Sequence, residues 1–75
     1  MKKLLVIQDP DILSGTPVFY GTRVPVKNLL DYLAAGDTLD EFLDDFPSVK
    51  REIVMAFLEQ IGMWIHTHGF ENIAG

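Results

Sequence analysis

The 75-residue sequence contains no cysteine, which excludes disulfide bridges and zinc sites with thiolate ligands. It also has no apolar run near the ~20 residues that a membrane-spanning helix requires, so we expect no membrane association. The apolar run after the first two lysines is short, and it is followed by acids and a proline without a small-residue cleavage site. We therefore expect a strand there rather than a signal peptide, and a cytoplasmic protein.

Basic residues are scarce, because six Lys and Arg stand against eleven Asp and Glu and the net charge is -5. Phosphate neutralisation supplies most of the affinity of nucleic-acid-binding proteins, so this balance favours a basic partner over a role centred on nucleic acid. The sequence also lacks a Ser-His-Asp or Cys-His set, and a chain of this length has little room for a closed pocket. We expect no enzymatic activity, no catalytic residues and no cofactor.

Apolar residues are abundant for so small a chain, at 48% of the sequence with a mean hydropathy of +0.17. A single domain of 75 residues has much surface for its volume and is only marginally stable alone. Part of this apolar surface is therefore expected to be covered by another chain, either a second copy in a homodimer or a different protein.

Residues 1–25 predict a β element with turns, and their most distinctive stretch is GTPVFYGTRVPV, residues 15–26. Each Gly-Thr pair is interpreted as a corner of the chain, and each proline restricts the residue before it to extended backbone. Strands are expected at residues 4–7 and 18–20. The two Gly-Thr-containing stretches are too short to form a repeat unit.

Residues 26–65 predict three helices. The first has the apolar face Val26, Leu29, Leu30, Leu33 and Ala34, and Gly36 is its expected C-terminal cap. A capping box at residues 38–41 begins a short second helix, which buries Leu39, Phe42, Leu43 and Phe46 and ends at Pro47. Ser48 is expected to cap a long third helix, and residues 66–75 to form a tail. The tight turn at residues 46–48 predicts a helix-turn-helix, although on pattern alone a plain small helical bundle is the commoner outcome.

Three motifs resemble the bacterial family catalogued as domain of unknown function 433. They are the run from Ile7 to Val26 that ends in GTRVPV, the following LLDYLAAGDT, and FPSVKREIVMA. The match covers roughly residues 5 to 58, and the chain departs from the family after Ala56. The resemblance implies a mainly α, homeodomain-like, three-helix helix-turn-helix bundle with a short N-terminal β element. It also implies an antitoxin whose usual partner is a PIN-like ribonuclease toxin, with repression of its own operon as a second expected role.

Five residues are candidates for binding operator DNA. On the helix-turn-helix interpretation, the third helix enters the major groove by its N-terminal residues, and two further basic side chains lie near the phosphate backbone of the DNA. The candidates are Arg23, Lys27, Ser48, Lys50 and Arg51. The alternative for Arg23 is an internal ion pair with Asp9 or Asp11, which the negative net charge favours. Acids on the second helix would repel phosphates, so binding would need a dimer that adds two weak contacts.

The candidates for binding a protein partner lie towards the end of the chain. Aromatic and methionine side chains dominate interface hot spots, and the third helix is apolar on more than one side. The candidates are Phe57, Ile61, Met63, Trp64, Ile65 and Phe70. The alternative is that Trp64 closes the core of its own domain. His66 and His68 have no evident third ligand, so we expect no metal site.

The acidic second helix has two interpretations of equal weight. It is either a solvated surface with acids favourably placed near a helix start, or a face that occupies the RNA-binding groove of a basic nuclease. The antitoxin role that the resemblance implies leads us to expect a protein that neutralises its toxin by steric and electrostatic occlusion, with apolar burial along the third helix supplying the affinity. The alternative is a helix-turn-helix DNA-binding regulator without a toxin partner, and a third is a structural module of a larger assembly.

Overall fold

The computed structural model describes residues 4–69, which form two short strands and three α-helices. Strand β1 spans Val6–Ile7 and β2 spans Val18–Phe19, while the helices are α1 (Val26–Ala34), α2 (Leu39–Asp45) and α3 (Arg51–His68). This mainly helical architecture with a small antiparallel sheet near the N-terminus confirms the predicted fold class. No helix among residues 4–69 is long and apolar enough to cross a membrane.

The sheet places β2 between two neighbouring chain segments. Strand β1 runs antiparallel to β2, with Val6 opposite Phe19, and on the other side the Phe19 amide donates to the Val24 carbonyl at 3.0 Å. Both residues of β2 are completely buried. The regular strands are shorter than predicted, although the Tyr20 amide still donates to the Leu5 carbonyl at 2.9 Å beyond the end of the regular pairing. The sheet places Phe19 in the core cluster.

The two Gly-Thr pairs form corners of the same design, as predicted. At each corner the threonine amide and hydroxyl both donate to the carbonyl three residues earlier. Thr16 bonds to Leu13 at 3.2 and 2.8 Å, and Thr22 bonds to Phe19 at 3.0 and 2.8 Å. The preceding glycine adopts a positive φ in both cases, +87° and +75°, a conformation that glycine accepts without steric cost.

Two glycines should respond to alanine with opposite signs. Gly21, with φ +75°, has open space around its missing side chain, so Gly21→Ala strains only the backbone and should lower the free energy of unfolding by about 1 kcal/mol. Gly62 lies within α3 with equally open surroundings, so Gly62→Ala should raise the free energy of unfolding by about 1 kcal/mol. Urea unfolding followed by circular dichroism measures the change in the free energy of unfolding for each variant. Two changes of the same sign would refute the assigned backbone conformations.

The core is built around aromatic side chains. Phe19 meets Phe42 and Phe57 edge to face, with ring centroids 6.2 and 5.6 Å apart. These rings join the sheet to α2 and α3. The remaining buried members of this core cluster are Val26, Leu29, Val49, Ile53 and Val54.

Helix α1 faces the core differently from the prediction. Val26 and Leu29 are buried as expected, but Leu30 is 48% exposed, and Leu33 and Ala34 also face outward. Their place is taken by Tyr32, whose ring packs edge-on against the ring of Phe42 on α2, at 5.4 Å between centroids. The short α2 covers the side of α1 that carries Tyr32. The apolar pattern alone therefore predicted the wrong side of the helix to be buried.

Helix α2 begins and packs as predicted. The Thr38 hydroxyl accepts the Glu41 amide at 3.1 Å, and the Glu41 carboxylate accepts the Thr38 amide, which completes the capping box. Phe42 is fully buried, and Leu39, Leu43 and Phe46 pack against the core. The acids of α2 are exposed, and the Tyr32 hydroxyl donates to Asp45 at 2.5 Å, which links α1 to α2.

This hydrogen bond predicts a pH dependence in the alkaline range. The bond to Asp45, together with partial desolvation and nearby acidic charge, raises the pKa of Tyr32 above its usual value of 10.0. The folded state holds the phenolic proton more tightly, so the stabilisation is complete below about pH 10 and is lost as the pH rises further. Between neutral pH and pH ~11, the free energy of unfolding should decline less steeply for Tyr32→Phe than for wild type. The control Tyr20→Phe, at a half-exposed ring, should keep the wild-type decline; identical slopes in all three proteins would contradict the assignment.

Helix α3 differs from the prediction at both ends. Its N-cap is Lys50 rather than Ser48, which lies exposed in the preceding turn. The reason is Val49, which is 4% exposed and donates its amide to the Phe46 carbonyl at 3.0 Å, so the chain must enter the core before the helix begins. The helix then continues to His68 instead of ending at residue 65, so the predicted tail 66–75 starts within a helix. Residues 70–75 lie outside the described part.

Candidate interaction surfaces

The second half of α3 carries an exposed apolar surface. Ile61, Met63 and Trp64 are 41%, 58% and 42% exposed, and Ile65 is half-buried. Phe57, predicted to contact a partner, is instead a core residue at 8% exposure. The predicted partner residue Phe70 lies outside the described residues. The structure thus leaves Trp64 only partly covered by its own chain, against the alternative that it closes the core.

A groove runs between this part of α3 and strand β1. It has a volume of about 790 Å³, and aliphatic side chains of the N-terminal segment form one wall, including the 62% exposed Leu4. Sequence reasoning missed this wall, because nothing local shows that residues 4–6 come to lie beside α3. The groove is lined by Leu4, Leu5, Val6, Ala56, Phe57, Gln60, Ile61, Met63, Trp64 and Thr67. We call it the α3 groove.

Charge is distributed unevenly between the helices. Residues 60–68 of α3 contain no Lys, Arg, Asp or Glu, whereas six of the eleven acids fall within residues 31–45, at the end of α1, in the following turn and on α2. The molecule therefore has an uncharged apolar surface on one helix and an acidic surface on another.

The last turn of α3 holds Trp64 through an aromatic contact. The His68 ring stacks on the indole with centroids 4.4 Å apart and an angle of 20° between the planes, and its Nδ1 lies 2.9 Å from the Trp64 carbonyl. This contact fixes one side of the indole while the ring remains exposed towards the groove. Among residues 4–69, no three His, Asp or Glu side chains are grouped so that they could hold a metal ion.

The predicted DNA-binding residues fall into two groups. Lys27 forms an ion pair with Asp31 at 2.9 Å, which the i,i+4 spacing could have predicted, and Arg51 pairs with Asp40 of α2. Arg23 makes no ion pair with Asp9 or Asp11, so that prediction is wrong for the described chain; Asp9 instead accepts the Asp11 amide.

Arg23, Ser48 and Lys50 lie together where the loop after β2 meets the turn before α3. Two adjoining hollows occupy this place, and Gly21 and Ser48 line both of them. Arg23 lines one hollow and Lys50 lines the other. The structure thus brings three of the five candidates to one surface and engages Lys27 and Arg51 with acids elsewhere.

A family model described as "Protein of unknown function (DUF433)" matches residues 6–59 of this chain. The chain belongs to the DUF433 family. The match contains both Gly-Thr corners, the three helix starts and, except for Leu4, the residues that line the two hollows, but it ends before Gln60. Most of the α3 wall of the groove therefore lies outside the region that defines DUF433.

One relative of this DUF433 chain is "Uncharacterized protein y4eO" of Sinorhizobium fredii, which is 46% identical over 48 residues. The alignment covers 64% of the present chain and 22% of the relative, so the chain spans about a fifth of the length of that protein. No solved structure matches the chain significantly.

Proposed function

We propose that this DUF433 protein is an antitoxin that binds and neutralises a PIN-like ribonuclease toxin. The observation that carries the proposal is the α3 groove, where an indole, a methionine and several aliphatic side chains remain exposed. Trp and Met are enriched in the buried centres of protein interfaces, and an apolar surface of this kind is typical of a binding site.

The acidic surface supports the choice of a nuclease as partner. Asp40 and Glu41 lie in the first turn of α2, and Asp44 and Asp45 follow on the same exposed helix. A ribonuclease must present basic groups to its substrate backbone, and complementary charge both steers association and selects partners. The α3 groove supplies hydrophobic burial, and the acids of α2 occupy the space that RNA phosphates would take.

A homodimer is the competing use of the same apolar surface. The absence of charged residues at positions 60–68 would let two copies meet there without bringing acids together. In the proposed complex, the toxin either replaces the second copy at the groove or binds a dimer through the acidic surface. Light scattering of the protein alone and of the complex distinguishes these arrangements.

The test is co-expression with the adjacent open reading frame, followed by size-exclusion chromatography and an assay of RNA cleavage. Co-elution of a small nuclease whose activity appears only after the two chains are separated supports the proposal. A complex formed at the α3 groove should persist at high salt, because apolar burial responds little to ionic strength, whereas a complex formed through the acidic surface should dissociate as the salt concentration rises. Separate elution of the two chains, or full ribonuclease activity of the complex, would overturn it.

A further inference from the structure

Two basic side chains have no acidic partner in the described part of the protein. Residues 4–69 contain four Lys and Arg, of which Lys27 and Arg51 are engaged with Asp31 and Asp40. Arg23 and Lys50 form no ion pair there, and both are exposed. In a chain of net charge -5, two unpaired cations that lie close together are available for an anion from another molecule.

The fold brings these cations together from distant parts of the sequence. The Thr22 corner presents Arg23 at the tip of the hairpin formed by β2 and residues 24–25. The buried Val49 fixes the turn before α3 and presents Lys50. The two hollows that these cations line meet at Gly21 and Ser48. We call this place, with Tyr20, the hairpin-tip surface.

We propose that the hairpin-tip surface binds the sugar-phosphate backbone of duplex DNA, with Arg23 and Lys50 each on a phosphate. The guanidinium and ammonium groups neutralise phosphate charge, and the exposed Ser48, which lines both hollows, adds a hydroxyl as a neutral hydrogen-bonding group. Tyr20, which is 50% exposed and also lines the Lys50 hollow, adds an aromatic side chain for contact with a sugar. A duplex is the favoured form because the surface lies at the start of the helix that follows the α2–α3 turn, the end by which helix-turn-helix proteins approach DNA.

This mode of binding differs from insertion of α3 into the major groove. Arg51, in the first turn of α3, is paired with Asp40, and α2 presents its acids beside it. The hairpin tip therefore carries the contact, and α3 contributes only Lys50, its N-cap. Phosphate contacts position a protein without reading sequence, so the expected binding is of low sequence specificity and strongly salt-dependent.

Glu52 provides an internal control, since it lines the same hollow as Lys50 and its negative charge opposes an anion there. Replacing it with glutamine removes a negative charge and keeps the size of the side chain. Glu52→Gln should strengthen DNA binding, whereas Arg23→Gln and Lys50→Gln should weaken it. Lys27→Gln is the matched control, because its cation is already paired with Asp31 on the surface of α1.

The experiment is fluorescence anisotropy of a labelled duplex from the region upstream of the gene, with a scrambled duplex and a single-stranded RNA as further probes. At about 50 mM salt, Arg23→Gln and Lys50→Gln should each weaken duplex binding about three- to tenfold and reduce the slope of log K against log salt by about one. Glu52→Gln should strengthen binding about two- to threefold, and Lys27→Gln should match wild type. The replaced side chains are exposed, and circular dichroism confirms that each variant is folded.

Three outcomes of the anisotropy measurements would overturn the proposal. The first is that wild type shows no saturable binding of the duplex. The second is that Arg23→Gln, Lys50→Gln and Lys27→Gln bind the duplex equally well. The third is that the protein binds the single-stranded RNA but not the duplex. A loss of nuclease co-elution in the Arg23 and Lys50 variants without any loss of DNA binding would assign the surface to an acidic protein segment and would also overturn it. The proposal does not depend on nuclease binding, so either can fail while the other stands.

Discussion

Phe42→Ala is expected to leave most of the protein unfolded, or close to it, at 25 °C. The Phe42 ring is completely buried and contacts three other rings, those of Phe19, Tyr32 and Phe46, with centroids 5.0 to 6.2 Å away. Truncating a buried phenylalanine costs about 3–5 kcal/mol, which includes the cavity left behind. A single core in a chain of this length supplies little more than about 3–5 kcal/mol in total.

The loss should be visible as a collapse of the urea midpoint, measured by circular dichroism at 222 nm, a standard helix wavelength, with the slope of the transition compared to wild type. Leu30→Ala is the matched control, because Leu30 is a helical residue of similar hydrophobicity that is 48% exposed. It should change the free energy of unfolding by less than about 0.5 kcal/mol. A cooperative transition near the wild-type midpoint for Phe42→Ala would show that the ring cluster is not the centre of the core.

The contrast between Leu30 and Phe42 shows what local sequence can predict about this fold. Signals that act within a few residues were reliable: the Gly-Thr corners, the Thr38–Glu41 capping box and the Gly36 position at the end of α1 all form as predicted. Each of them depends on a backbone conformation or a hydrogen bond that its own residues specify. Such features need no knowledge of what lies on the other side of the molecule.

Features decided by tertiary packing were predicted less well. The buried edge of α1 depends on the position of α2, so Tyr32 was missed and Leu30 was misplaced. The start of α3 depends on where Val49 enters the core, which moved the cap from Ser48 to Lys50. A single apolar periodicity gives the width of a buried face but not the direction from which the next element covers it.

In the two candidate surfaces as well, the sequence predicts what lies close together in the chain and misses what only the fold brings together. The residue types of the α3 groove were recognised on the helix side, since Ile61, Met63 and Trp64 follow one another closely in sequence. The opposite wall at Leu4–Val6 comes from a segment more than fifty residues earlier. The hairpin-tip surface likewise brings Arg23, from a loop, near Lys50, from a turn distant in sequence. No periodicity in the sequence predicts this proximity.

Trp64→Ala is expected to weaken nuclease binding at least about 30-fold while leaving the fold intact. Large effects at interfaces come from a few aromatic side chains in the centre of an apolar site, and truncating one costs about 2 kcal/mol or more. Trp64 lies on the α3 groove, is 42% exposed, and is held from one side by the stacked His68 ring. Its lost contacts should therefore appear in binding rather than in stability.

Met55→Ala provides the comparison for that experiment. Met55 is on the same helix and is 52% exposed, but it does not line the α3 groove. Titration calorimetry with the purified nuclease should give near wild-type affinity for Met55→Ala and a large loss for Trp64→Ala, with similar thermal unfolding of both variants by circular dichroism. If both variants inhibit RNA cleavage as well as wild type, the apolar face of α3 is not the toxin-binding surface. Neutralisation would then have to be carried by the acidic face of α2, and substitutions of Asp40 and Asp44 would be the ones to abolish it.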